Sequence, residues 1–496
     1  MDRDVTDEEQ TPINESLTKQ VLTWGCAIVF FLICLYVGLL SLRKPWIEPG
    51  PPVRLAPWRP DLRAVDVKPG SAFDLLCRAG DLNGTYISPL ANWLHPVRNK
   101  AHEEILRDVP AEVIRILDDC ACSLDLARKA IAAPNPQMPT PTAISTLKPY
   151  LSSTRALARV FAASAIRHAE NGDLTRGCED LIAGMQIGQI VSRGEGIING
   201  LTDGACTLLC CEKLWRIAMA YDIPRGAAET TMQSLQKLDE GSEPLSEAFR
   251  YETKVEIHRV DGFMAGDPSI LASFPLPPYT VSAVGLVAPL VGSSRNTIRR
   301  NLTHCFAHLI SMSDGAYTPG AYSARFKVLS SGGSVLLTHK DPIGLMAATM
   351  LVSASKYPHE KYLLRTTALR AMRLFLALRQ FEQRRGAPPA ALANLVPDFL
   401  DAVPLDPFDR KPFRYIVLPE ANVWCIYSVG PDLIDDKGTA RRWCSTHKCK
   451  DVVVPSKLYP GKPTERRLAD FKTMFSVPPE PSPTPSEGVA PPQDGP

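Results

Sequence analysis

The sequence predicts a mainly α-helical protein: an N-terminal transmembrane helix, a helical-bundle body and a small α+β module toward the C-terminal end. Three observations predict it. Gln20 to Leu42 carries no charge and is rich in Leu, Ile, Val and Phe, and about 20 such residues cross a bilayer as a helix. From Ala72 onward, apolar residues return with a helical period. Beyond Phe413 the pattern switches to two short alternating runs, as strands require.

The composition is that of a folded chain. Its 496 residues are 45% hydrophobic, enough for two or three domains with a sizeable core. The net charge of +2 argues against a nucleic-acid partner, which would select a basic excess or stripe. The 45 prolines gather between Pro45 and Pro69 and again after Pro455, marking linkers. Thirteen cysteines leave at least one thiol without an intrachain partner. Cys206, Cys210, Cys211 and Cys305 lie in apolar helical patterns, where cysteine acts as a small hydrophobe. Cys444 and Cys449 flank a polar loop containing His447. They read as free thiols, a local disulfide or part of a metal site, and no second ligand pair of zinc spacing accompanies them.

Residues 1–19 form an acidic tail, 20–42 the membrane helix and 43–70 a Pro-rich extended linker. The helical body covers 71–360. Within it Ala111, Ile114, Leu117 and Ala121 are expected on one helix face. Ser152 to Arg193 reads as an αα-hairpin that turns at Asn171-Gly172, with Asp173 capping the second helix. Small residues, Gly184 and Gly188 among them, are expected to let the backbones approach. Further helices are expected over Gly196 to Ala220, Ala227 to Leu238, Pro244 to Asp261 and Asn296 to Met312. Pro268 to Ser294 is an uncharged stretch, too short and Pro-interrupted for a second span.

Motif chemistry is sparse. Glu252 and Glu256 stand one turn apart and offer a carboxylate pair for acid–base work if burial separates their pKa values; a solvated ion-pair face is the plainer reading. His304 and His308, at i and i+4, offer two metal ligands without a third. His102-Glu103 and His359-Glu360 start like zinc-protease helices but lack the second histidine. No phosphate loop, dinucleotide fingerprint or nucleophile elbow occurs.

The terminal module spans 361–443. Its helix, Tyr362 to Arg385, carries the seam Leu364, Ala368, Ala371, Phe375 and Leu378. Arg384, Arg385 and Gly386 suit its C-terminus, and Pro388-Pro389 stop it. Leu392-Ala393-Asn394-Leu395-Val396-Pro397 then precedes Pro404-Leu405-Asp406-Pro407. Strands are expected over Phe413 to Val417 and Val423 to Val429, then comes Ser428-Val429-Gly430-Pro431-Asp432. This order resembles the soluble end of the major pseudopilin of type II secretion, through Leu405-Asp406-Pro407, Pro412, Tyr415 and Ser428 to Asp432. The resemblance covers about 15% of the chain, and the arrangement as a whole is similar to bacterial single-pass membrane proteins with a pseudopilin-like end. It implies a final acidic loop that binds Ca2+, with Asp432, Asp435 and Asp436 as metal ligands; a plain acidic turn is the alternative, since Lys437 intrudes. A pseudopilin's basic leader, cleavage site and helix glutamate are missing around Gln20 to Leu42. Residues 444–496 are expected as a Cys-containing loop and a Pro-rich disordered tail.

The expected function is a membrane-anchored scaffold or protein-interaction component of the bacterial envelope, by resemblance associated with a type II secretion or pilus-like machine. The alternative is a membrane-tethered hydrolase with its site between body and terminal module, testable at Glu252. Arg43, Lys44, Arg54 and Arg59 after the membrane helix favour a cytoplasmic body by the positive-inside rule. The resemblance favours an extracytoplasmic body on the inner membrane, and that is the expectation adopted. Partners are the membrane, through one helix, and another protein.

Overall fold

Apolar residues spaced three and four apart fold into helices nearly everywhere the sequence places them. The computed structural model describes residues 28, 31–32, 47–53, 69–81, 87–94, 109–133, 149–265, 267, 293–326, 340–418, 423–438 and 451–456. The described helices are α1 (Ala72–Asp81), α2 (Ile87–Leu94), α3 (Ala111–Asp119), α4 (Ala121–Ala132), α5 (Pro149–Glu170), α6 (Leu174–Ser192), α7 (Ile197–Ala220), α8 (Arg225–Glu240), α9 (Leu245–Ala265), α10 (Arg295–Asp314), α11 (Ala321–Arg325) and α12 (Pro342–Arg385). A three-stranded antiparallel sheet follows, β1 (Arg414–Leu418), β2 (Val423–Ser428) and β3 (Val452–Pro455), in the order β1-β2-β3.

The expected membrane helix falls almost wholly outside the described residues. Of its length only Ile28, Phe31 and Leu32 are described, helical and exposed. Among the described residues no helix is long and apolar enough to cross a membrane. The Cys444–Cys449 loop and the apolar stretch 268–292 also lie outside them.

The chain divides into two compact units. The smaller takes residues 1–54, 255–308 and 323–354. There Asp341, buried at a positive φ of 59°, caps the start of α12 by accepting from the Gly344 amide (3.0 Å) and from Asn301 Nδ2 (2.8 Å). Asp261 on α9 pairs with Arg295 at 2.9 Å. A Cβ on Gly50 would stand 2.7 Å from both the His304 carbonyl and the Ala307 side chain, so only glycine lets that segment lie against α10.

The larger unit takes residues 55–254, 309–322 and 355–496. Its centre is the predicted α5–α6 hairpin. Gly172 turns the chain at φ 83°, and Asp173 accepts from the Arg176 amide at 3.1 Å. Leu157, Val160, Phe161, Ala165 and Ala169 from α5 meet Cys178, Leu181, Met185 and Ile187 from α6 in the core. The small residues do more than close this hairpin. A Cβ on Gly177 would press on the Ala165 carbonyl of α5, but one on Gly184 would meet Cys210 Sγ at 2.7 Å and one on Gly188 would meet Cys206 at 3.0 Å. The two later glycines therefore admit α7 as a third layer.

Two local expectations change. The inward face of α3 is Val113, Ile116 and Leu117, continued by Cys120 in the break before α4; Ala111 and Ala121 are exposed. The seam expected there assumed one unbroken helix. The helix expected from Tyr362 begins at Pro342 and runs 44 residues through Pro358. Proline removes one backbone donor, yet the helix continues through Pro358, which is buried along with His359 after it.

One core joins the helices to the sheet. Leu364 and every residue of the predicted seam after it are buried, and Phe375 packs on the fully buried Trp424 of β2 with ring centroids 5.2 Å apart. Phe413 is buried and Tyr415 and Val417 are packed against the same cluster. β3 was expected as part of the tail. Its run of β-branched residues instead pairs with β2 (Ile426 opposite Val454), and the Pro455 carbonyl accepts from Trp215 Nε1 of α7 at 3.1 Å. Asp406 is fully buried and accepts from the Phe408 amide (3.0 Å), Ser428 Oγ (2.9 Å) and the Val429 amide (3.0 Å), with Arg414 Nη1 at 3.3 Å. The Leu405-Asp406-Pro407 and Ser428-to-Asp432 motifs are thus one hydrogen-bonded corner.

Candidate docking cleft

The arginines of α12 explain how the site is held. Arg370 Nε reaches Asp239 at 2.8 Å, Arg373 reaches Gln236 at 2.8 Å and Arg379 reaches Asp222 at 3.3 Å. All three partners lie on or beside α8, so α8 is clamped along α12. Arg365 differs from them. It is 2% exposed, its Nε lies 2.8 Å from Asp203 Oδ2 of α7, and its Nη1 donates to Ser242 Oγ in the α8–α9 turn. Its Nη2 is buried and has no hydrogen-bond acceptor among the described residues. Asp203 also accepts from Thr207 Oγ1 at 3.2 Å.

Above this pair lies a cleft of about 50 Å³, lined among others by Glu195, Gly196, Leu201, Glu243, Tyr362 and Arg365. The α6–α7 turn, the α8–α9 turn and α12 supply its walls. Glu195 is buried and accepts from Tyr251, whose hydroxyl is pushed well up, first by burial and then by this carboxylate. Glu243 is exposed and accepts from the Gly194 amide at 2.8 Å, and Gly194 makes the turn at φ 68°. Three carboxylates, Glu195, Asp203 and Glu243, therefore face one guanidinium. Leu201 lines the cleft and is 36% exposed, and Ile198, one helical turn earlier on α7, is 61% exposed. A pocket for a cofactor-sized ligand spans roughly 300–1,000 Å³. This cleft accommodates a side-chain head or a few waters.

The residues singled out in the sequence take other roles. Glu252 caps α7, accepting from the Ile197 amide at 3.0 Å; a Cβ on Gly196 would collide with it, so the glycine is what admits the cap. Glu256 pairs with Arg259 at 2.6 Å. Each glutamate thus makes a structural contact of its own. His308 Nε2 lies 2.6 Å from Arg325 Nη2, and both His304 and His308 are held below the ordinary histidine range, chiefly by desolvation. His359 is buried against the rings of Tyr317 and Tyr322, with Nδ1 3.0 Å from the Tyr322 hydroxyl, and desolvation lowers it to about 4.

The acidic loop is committed internally. Asp432 accepts from the Ile434 amide at 3.1 Å, and Asp435 accepts from Tyr427 (3.1 Å) and pairs with Lys437 (3.1 Å). The Asp436 amide donates to the buried Asp451, whose carboxyl desolvation raises to about 7. Among the described residues no three metal-ligating side chains converge. Asp432, Asp435 and Asp436 stand in one loop, in which Lys437 pairs with Asp435.

Sequence reasoning missed Glu195, Asp203, Glu243 and Arg365. The usable signal was Arg365 directly beside the seam residue Leu364, a charge where the helix is buried. Comparison of the chain with family models, curated proteins and solved structures gives no match.

Proposed function

We propose that this protein is a protein-interaction component, anchored to the membrane through residues 20–42, whose docking surface is the cleft at the α6–α7 turn. The observation that carries the reading is the nearness on α7 of exposed Ile198 and Leu201 to a small cleft lined by Glu195, Asp203, Glu243 and Arg365, on an otherwise well-buried helical core. Interfaces are organised around such apolar residues with a few buried polar contacts. The anchor rests on the uncharged length of Gln20 to Leu42. The resemblance of the 405–432 corner supports a place among envelope assemblies of the type II secretion or pilus-like kind, with the body outside the inner membrane.

The test compares full-length wild type with Ile198→Asp/Leu201→Asp in quantitative affinity capture. Both positions are exposed, so folding is expected to survive, as circular dichroism will check. A protein retained by the wild type and lost from the variant is the expected result. Identical retained sets would contradict the reading.

A further inference from the structure

The chemistry around the cleft is specific enough to describe its occupant. We infer that the cleft takes a short peptide segment of a partner protein, carrying one Lys or Arg side chain beside an apolar residue. The inference rests on the docking reading above and adds the recognition chemistry.

Three features meet there. Charge is the first: Glu195, Asp203 and Glu243 line the cleft against the single cation Arg365, which is already paired with Asp203. A cationic head entering the cleft is attracted by the remaining carboxylates, whereas an acidic one is repelled. Such complementarity sets partner choice more than raw affinity. The second feature is Arg365, a 2%-exposed residue that lines the cleft and whose Nη2 has no acceptor among the described residues. A buried donor left unmade is costly, and a backbone carbonyl of an incoming segment supplies the acceptor. Apolar surface is the third. Leu201 in the cleft wall and exposed Ile198 one turn away on α7 match an apolar side chain next to the cation. Carbonyl, cation and apolar group together describe a peptide. The cleft's small volume fits one side-chain head and leaves the rest of the segment on the rim.

The experiment measures binding of the full chain to immobilised hexapeptides whose central residue is Lys, Arg, norleucine or Glu, flanked by Leu and Ile. Lys and Arg peptides should be retained about tenfold better than norleucine, with Glu peptides weakest and the preference shrinking as salt rises. Glu243→Gln keeps an acceptor for the Gly194 amide while removing the charge, and should erase most of the preference. Ile198→Asp/Leu201→Asp should weaken retention of the norleucine peptide. Equal retention of Lys and norleucine peptides, still sensitive to Ile198 and Leu201, would overturn the cation proposal while leaving the docking reading intact. No retention of any peptide would overturn the proposal, and the capture experiment would then decide the docking reading separately.

Discussion

Asp203 and Arg365 meet with side chains 7% and 2% exposed, and neither reaches bulk water. A buried pair of this kind adds little net stability over apolar residues of similar size, yet removing one partner leaves a buried charge uncompensated. Asp203→Ala should therefore cost about 3–5 kcal/mol in urea unfolding, while Asp203→Leu with Arg365→Met should recover much of it. A cost below about 1 kcal/mol for the single change, the range of exposed pairs, would mean the pair is hydrated. His359 gives a pH signature. Its folded pKa of about 4 lies below the ordinary 6.5, so between these values the unfolded chain binds the extra proton. The contribution is complete above pH 6.5 and is lost as pH falls toward 4. His359→Gln should flatten that part of the stability profile; an unchanged slope would place the proton elsewhere. Chemistry at this scale was the least legible in the sequence. Glu252 and Glu256 look like a pair by spacing, but each finds a different partner once folded. Arg365 looks like a surface arginine until α8 and α7 close over it.

At the scale of elements, local signals were strong where they were self-contained. Asn171-Gly172-Asp173 specifies its turn and cap within three residues, and the α5–α6 hairpin follows from them. Ends were harder to read because they depend on distant packing: Pro358 looks like a stop, yet it is buried and the helix continues through it. β3 is the clearest such case. Val452-Val453-Val454 is a good strand, but distant partners give it a place, β2 and Trp215 among them, respectively some 30 and 240 positions away. Two truncations test its role. Ending the chain after Ser456 leaves all three strands in place and should keep the urea midpoint. Ending it after Gly438 removes β3, Val454 included, and uncovers Trp424 and Ile426, costing at least ~3 kcal/mol and shifting tryptophan fluorescence to the red. Equal midpoints would show that β3 adds nothing to the sheet.

For the whole molecule, mainly helical architecture and a small sheet were legible because period and alternation survive in any context. The docking cleft was not. It is assembled from residues 192–203, 242–248 and 358–365, and no sequence pattern links those three stretches. The cleft also gives the larger unit a surface on which three carboxylates and Arg365 stand among apolar residues, unlike the sealed core beneath it. The central claim, that this surface docks a partner protein, is tested most directly by a photo-crosslinking residue at Ile198 in the full chain. Glu229, exposed on α8, serves as the control. Crosslinks from position 198 should map to one peptide segment containing Lys or Arg beside an apolar residue, absent from the control and lost on Leu201→Asp. The same scatter of neighbours from both positions would contradict the account.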